Sequence, residues 1–157
     1  MKVVTQRLIK KSPEEIWGLL LNSNVDQAFY CPVFCLGAPR PLRCEYTVGD
    51  LAASEPKRRC ISDKGSIEQQ IDTFEPPRKL RFHMVETDLS VKTCVSDMAD
   101  EFRLDSGEGG TLVERTTLLK IKGPFRNCKT FFMWFGIKSI HKYVFDAWAS
   151  HRSDSIT

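Results

Sequence analysis

The feature that most constrains the fold is a change of period at Gly123-Pro124. Before it, from Cys44 onward, apolar and polar residues alternate in short runs separated by turn signals. "CEYTV" and "KRRCIS" read as two strands, the second closed by "DKGS". "SIEQQIDTFE", "KLRFHMVE", "MADEFRL" and "TLVERTTLLKI" read as four more, separated by "EPPR", a loop and "DSGEGG". Alternation with closely spaced turns predicts an antiparallel meander. After Gly123-Pro124 the period becomes helical and runs to about Arg152, with no internal proline and only Gly136 as a glycine. A curved antiparallel sheet must cover its apolar face. That helix is the only predicted element long enough to do so.

The N-terminal part completes the pattern. Val3 to Lys11 reads as a strand, and "SPEEIW" supplies a helix start. Ser12 can cap, Pro13 takes the first helical position and Glu15 closes a capping box. Ile16, Leu19 and Leu20 give an apolar face, and Asn22-Ser23-Asn24 ends the helix. A second short helix is expected around Val25 to Phe29, then a loop from Cys31 to Arg43. The order is strand, two short helices, six strands and a long helix. This is an α+β domain spanning residues 1–157, with a sheet of six to seven strands around the last helix.

Charge and cysteine usage narrow the function classes. A net charge of +3 over 157 residues does not argue for nucleic acid. "PKRR", Pro56 to Arg59, is expected to be a solvated strand edge. The longest apolar run is far shorter than the ~20 residues of a membrane span. "MKVVTQRLIKK" has no apolar core of a signal peptide, so a cytoplasmic location is expected. The six cysteines, Cys31, Cys35, Cys44, Cys60, Cys94 and Cys128, include only a C-x3-C pair. No metal or cofactor is expected on that spacing. In a reducing compartment they are expected to be free thiols packed as small hydrophobes.

"IKKSPEEIWGLL", "IEQQIDTFEPPRKLRF", "GGTLVERTT" and "IHKYVFDAW" together resemble the START/birch-pollen-allergen superfamily, also called SRPBCC or polyketide cyclase/dehydrase-like. The resemblance covers nearly the whole chain. It implies a helix-grip fold with a cavity between sheet and helix for apolar small molecules such as lipids, sterols or aromatic polyketides. Members include enzymes, carriers and chaperone activators, so the fold does not fix the function.

Alternation predicts the cavity wall. Pairing Leu104 with Thr111 across "DSGEGG" sets Phe102 opposite Val113, Asp100 opposite Arg115 and Met98 opposite Thr117, all on one face. Leu119, Ile121, Leu80, Phe82, Met84, Ile67 and Ile71 extend that face, with Gln69, Thr73, Glu86 and Thr117 as polar inner candidates. Asp100 and Arg115 should pair, because an unpaired buried charge costs several kcal/mol. The pair could orient the polar head of a ligand or be a satisfied internal ion pair. A slipped register would instead move the whole set outside.

The favoured function is binding or carriage of a small hydrophobic ligand, lipid-like or aromatic. Its expected lining is Phe82, Met84, Met98, Phe102, Val113, Met133, Ile137, Ile140 and Val144, with Asp100 and Arg115 for orientation and Phe34 or Phe29 at one end. The alternative is a cyclase/dehydrase-type enzyme using Asp100, Arg115 or His141. A third reading is a protein-interaction module of chaperone-activator type. His141 is expected at the edge of the helix's apolar stripe, and His83 on the outer sheet face. In "TFFMWFGIK" the stripe is centred on Met133, with Phe132 on its flank. Phe131 and Phe135 point away, widened by Trp134 into an outer patch. That patch is expected to lie under the Cys31–Arg43 loop, or to meet a second copy, a transient partner or a membrane surface.

Overall fold

The computed structural model describes residues 1–21, 32–35, 38–46 and 56–151. The elements are β1 (Lys2–Ile9), α1 (Pro13–Leu21), α2 (Pro32–Cys35), β2 (Pro41–Tyr46), β3 (Lys57–Ser62), β4 (Gly65–Glu75), β5 (Lys79–Thr87), β6 (Val95–Gly107), β7 (Gly110–Ile121) and α3 (Arg126–Ser150). The expected helix at Val25 to Phe29 lies outside the described residues. So does part of the Cys31–Arg43 segment; of the rest, α2 is a single helical turn and β2 already begins at Pro41.

The capping box forms as the sequence predicts. Ser12 N–H donates to Glu15 Oε2 at 2.9 Å, and Glu15 N–H donates to Ser12 Oγ at 3.2 Å. Satisfying these two otherwise orphaned amides fixes the start of α1. Ile16, Trp17 and Leu20 then face inward.

All strands pair antiparallel in one seven-stranded sheet of order β1-β7-β6-β5-β4-β3-β2. Its concave face grips α3, which lies against β1 and β7. The hairpin register differs from the expected one by two residues. Gly107 pairs with Gly110, so Leu104 faces Val113, Phe102 faces Arg115 and Asp100 faces Thr117. The tighter turn depends on glycine: at Gly110, φ is +143° and a Cβ would stand 2.2 Å from the Ile9 carbonyl oxygen. A two-residue shift preserves side-chain parity, so every residue keeps its face.

Two bulges between β4 and β5 do change parity. Past Gln69–Met84, Val85 has no partner and Glu86 pairs with Glu68, so Glu86 is exposed rather than inner. Past Ile71–Phe82, Thr73 pairs with Arg81 and Phe74 with Leu80. Phe74 rather than Thr73 thus faces the core, with its ring centroid 5.4 Å from that of Trp17.

The main core joins Ile9, Ile16, Trp17, Leu20, Leu80, Phe82, Phe102, Leu104 and Val113 to Tyr143, Val144, Phe145, Ala147 and Trp148 of α3. The outer face holds the exposed ion pairs, and there His83 Nδ1 lies 2.7 Å from Asp72 Oδ1, within hydrogen-bond distance. Among the described residues no helix is long and apolar enough to cross a membrane. The expectation of six free thiols fails at one pair. Cys44 and Cys60 are direct cross-strand neighbours on β2 and β3 and are joined as a disulfide.

Candidate functional site

A polar belt crosses the concave face, and the strand register builds it. Tyr46 pairs with Arg58, and Arg58 with Gln69, on β2, β3 and β4. Phe82 pairs with Asp100, and Asp100 with Thr117, on β5, β6 and β7. Thr5 of β1 pairs with Arg115. His141 reaches the belt from α3.

Asp100 is buried and fully engaged. Arg115 Nε donates to Oδ1 at 3.3 Å and Nη2 to Oδ2 at 3.1 Å. The Thr117 hydroxyl also donates to Oδ1. Burial alone would raise this carboxyl. The Arg115 charge and the hydrogen bonds from Arg115 and Thr117 outweigh burial and hold it below the ordinary carboxylate value.

His141 is fully buried, not at the edge of the stripe. Its Nε2 lies 2.8 Å from Thr117 Oγ1 and its Nδ1 lies 3.0 Å from Thr5 Oγ1. The single Thr117 hydroxyl proton goes to Asp100, so Thr117 must accept from His141 Nε2–H. Nδ1 then accepts from the Thr5 hydroxyl. Three hydrogen bonds therefore run in one direction, from Thr5 through His141 and Thr117 to Asp100. Burial, and then the Arg115 charge, push the imidazole down to about 3, against the opposing pull of Asp100. His141 is neutral near pH 7.

In the second half of the belt the sequence reading placed Gln69 on the inner face, where it is buried, but missed Arg58 and Tyr46. Arg58, read there as part of a solvated run, is only 7% exposed. Its Nε donates to Gln69 Oε1 at 2.8 Å and its Nη1 to the Tyr46 hydroxyl at 3.1 Å. Nη2 lies 2.9 Å from Cys60 Sγ and 3.3 Å from Cys44 Sγ. The guanidinium carbon sits 3.9 Å from the Phe82 ring centroid, a cation–π contact. Burial lowers the Arg58 pKa, opposed by Tyr46 and Asp100. Among the described residues no carboxylate forms an ion pair with it. The alternation of "KRRCIS" does put Arg58 and Cys60 on one face. The exposed neighbours Lys57 and Arg59 hid that signal.

The belt is thus rich in donors and positive charge: among the described residues, Arg58 and Arg115 face a single carboxylate, Asp100. Trp148 adds a donor without a partner. Its indole Nε1–H is the one buried side-chain polar atom among the described residues that makes no hydrogen bond. Its ring is 5.8 Å from that of Phe102, over which the Arg115 guanidinium lies at 5.0 Å.

The residues expected to line a cavity separate into two groups. Phe82, Phe102, Val113 and Val144 are buried in the core. Met84, Met98, Met133, Ile137 and Ile140 are only half-buried. Phe34 packs edge-on against Tyr143, with ring centroids 5.0 Å apart. Phe29 lies outside the described residues. Two open surface depressions, one lined by Lys10–Pro13 and Ser106–Gly110 and one by Phe125–Cys128, do not touch the polar belt.

No family model and no curated protein matches the sequence. Solved structures do. A START superfamily protein from Mycobacterium smegmatis superposes with a TM-score of 0.64 at 11% identity, covering 94% of each chain. A protein from Thermus thermophilus gives 0.63 at 16% identity, over 96% of this chain and 100% of that one. The Zhui aromatase/cyclase from Streptomyces sp. R1128 gives 0.62 at 13% identity, over 99% and 98%. The chain has the START-like helix-grip fold. At these identities the likeness is one of fold, the fold that the sequence motifs imply.

Proposed function

We propose that this START-like domain, over residues 1–157, binds or carries a small amphipathic ligand between the sheet and α3. The ligand has an apolar body, lipid-like or aromatic and polyketide-like, and an acidic or electron-rich head. One observation supports the reading: Arg58 is buried on the concave face and has no ionic partner among the described residues. A buried cation without a counter-charge is costly, and a ligand carboxylate or phenolate would offset that cost. Arg115 and Asp100 would orient the head, and the free Trp148 N–H could donate to it. Met84, Met98, Met133, Ile137 and Ile140 would meet the body, as suits a mostly apolar pocket with a few placed polar groups.

The alternative, a cyclase/dehydrase-type enzyme, needs a group that titrates near neutrality. His141 is held near 3 and Asp100 below its ordinary value. Neither suits that role, which favours the binding reading. A cytoplasmic setting belongs to the proposal too. The Cys44–Cys60 bond weighs against it, since disulfides persist mainly in oxidising compartments; imaging of a tagged chain decides.

The test is native mass spectrometry of the purified protein, with titration of a fluorescent polyene fatty acid and its methyl ester. The acid is expected to bind about ten-fold or more tightly than the ester, the advantage of a charge-assisted bond. Arg58→Met should close that gap. If neither compound binds and nothing co-purifies, the binding reading fails. Equal binding of acid and ester removes only the assignment of the head.

A further inference from the structure

Among the described residues, the first turns of α3 and the residue before them present a surface unlike any other. Phe125 is 82% exposed, Phe131 65%, Phe132 66%, Trp134 40% and Phe135 51%. Among the described residues, every exposed Phe or Trp lies in this one segment. The other large exposed apolar residues, Val4, Leu8, Val85, Leu112 and Leu118, are aliphatic and sit on strands. Phe131 and Phe135, expected to lie under the Cys31–Arg43 segment, are both exposed. Phe125 also holds φ at +59°, a left-handed conformation that bulky side chains rarely adopt. Exposure and backbone strain at one ring point to a role outside the core.

The charge around these rings has one sign. From Lys122 to Phe145 the sequence carries Lys122, Arg126, Lys129, Lys138 and Lys142 and no Asp or Glu. On the helix, Phe131, Phe135, Lys138 and Lys142 fall along one stripe at i, i+4, i+7 and i+11. At 1.5 Å per residue, Lys138 stands about 4.5 Å behind Phe135 and Lys142 about 10 Å behind. Lys138 Nζ also lies 4.8 Å from the Trp134 ring centroid. Basic side chains thus flank the rings at both ends, Lys122, Arg126 and Lys129 before Phe131 and Lys138 and Lys142 after Phe135, as in helices that lie in a membrane interface with apolar rings inserted and cations at the headgroups.

We infer that the N-terminal half of α3 is a docking surface for an anionic lipid bilayer. The rings enter the boundary region, where aromatic side chains are favoured. The five cations meet acidic headgroups with no carboxylate in the segment to oppose them. A second copy is the poorer occupant, because a symmetric contact would set this cationic stripe against itself. The inference does not depend on what the concave face binds, and its test uses the purified protein with no added ligand.

The experiment is co-sedimentation with phosphatidylcholine vesicles containing none or about 30 mol % phosphatidylserine, at low and high salt. Binding is expected to the anionic vesicles, weakened by salt and at least about ten-fold weaker on phosphatidylcholine alone. Lys138→Gln with Lys142→Gln should lower anionic binding by about 25-fold, roughly five-fold per charge. That pair should leave the weak phosphatidylcholine binding unchanged. Phe131→Ser with Phe135→Ser should lower binding to both vesicle types by about ten-fold or more. Far-UV circular dichroism and urea midpoints, expected to be unchanged, show that both variants fold. No binding to anionic vesicles overturns the inference, as does full binding by the phenylalanine variant. A dimer that this variant dissolves would assign the rings to a second copy. Binding to an acidic polypeptide but not to vesicles would assign them to a protein partner.

Discussion

Residues 126–135 and residues 141–148 belong to one uninterrupted helix, yet their side chains meet opposite surroundings. In the later segment His141, Tyr143, Val144, Phe145, Ala147 and Trp148 are all buried. In the earlier one no side chain is. Both segments are aromatic, so composition does not separate them. The later turns pack between the sheet and the α1 side of the core, where the Trp148 ring lies tilted against Phe145 at 5.9 Å and Phe102 at 5.8 Å. The earlier turns run beyond that support. One half of α3 therefore acts as core, and the other half is free for function.

Truncating rings at each end of α3 separates the two halves most directly. Trp148→Ala or Phe145→Ala is expected to cost about 3–5 kcal/mol in urea unfolding, as for a large core side chain. Phe132→Ala should change stability by no more than about 0.5 kcal/mol, as for an exposed site. Equal costs at the two ends would show that the early turns are packed after all.

The polar belt on the buried side gives the next effect. Asp100→Ala should cost about 3 kcal/mol or more, because it strands Arg115 without a counter-charge. Adding Arg115→Met should recover part of that loss, read as a coupling energy in a double-mutant cycle.

Acid stability then tests His141. In the unfolded chain its ordinary value is 6.5, and folding holds it at about 3. Between these limits the unfolded chain binds the extra proton. Stability should fall as pH drops, by up to about 1.4 kcal/mol per pH unit from this residue. Asp100 acts lower: its contribution is present above 3.8 and is lost as pH falls through its depressed folded value. His141→Gln should flatten the slope above pH 3.8 and leave the Asp100 loss below it. At Arg58 no loss of stability is expected. Arg58→Met removes a buried cation that has no ionic partner among the described residues, together with its hydrogen bonds, so the melting temperature should hold or rise. A large loss would mean that Arg58 is structural rather than held for a ligand.

Much of this was legible in the sequence, for local reasons. The capping box at Ser12–Glu15 needs only residues three apart. Strand parity placed Asp100, Arg115 and Thr117 on one face even though the hairpin register slipped by two, since parity survives an even shift. The phase of α3 correctly turned Phe131 and Phe135 away from the sheet, but could not say how far along the helix the sheet reaches, and so left Phe132 merely on the flank of the stripe, where it is exposed. Glu86 and Thr73 were misplaced by bulges, which add one residue and leave no reliable mark in composition.

What the sequence determined alone was the order of elements, their periods and the faces they present, because these follow from backbone geometry over a few residues. Only the tertiary structure decided which polar groups are sealed inside. His141 is buried because Thr5, distant in sequence, arrives on β1 to satisfy its second nitrogen. Arg58 is buried because Gln69, Tyr46 and Phe82 converge on it from three other strands. Cys44 meets Cys60 because β2 lies beside β3. Burial of a polar group depends on partners brought from afar, and those partners are fixed only when the sheet closes around the helix.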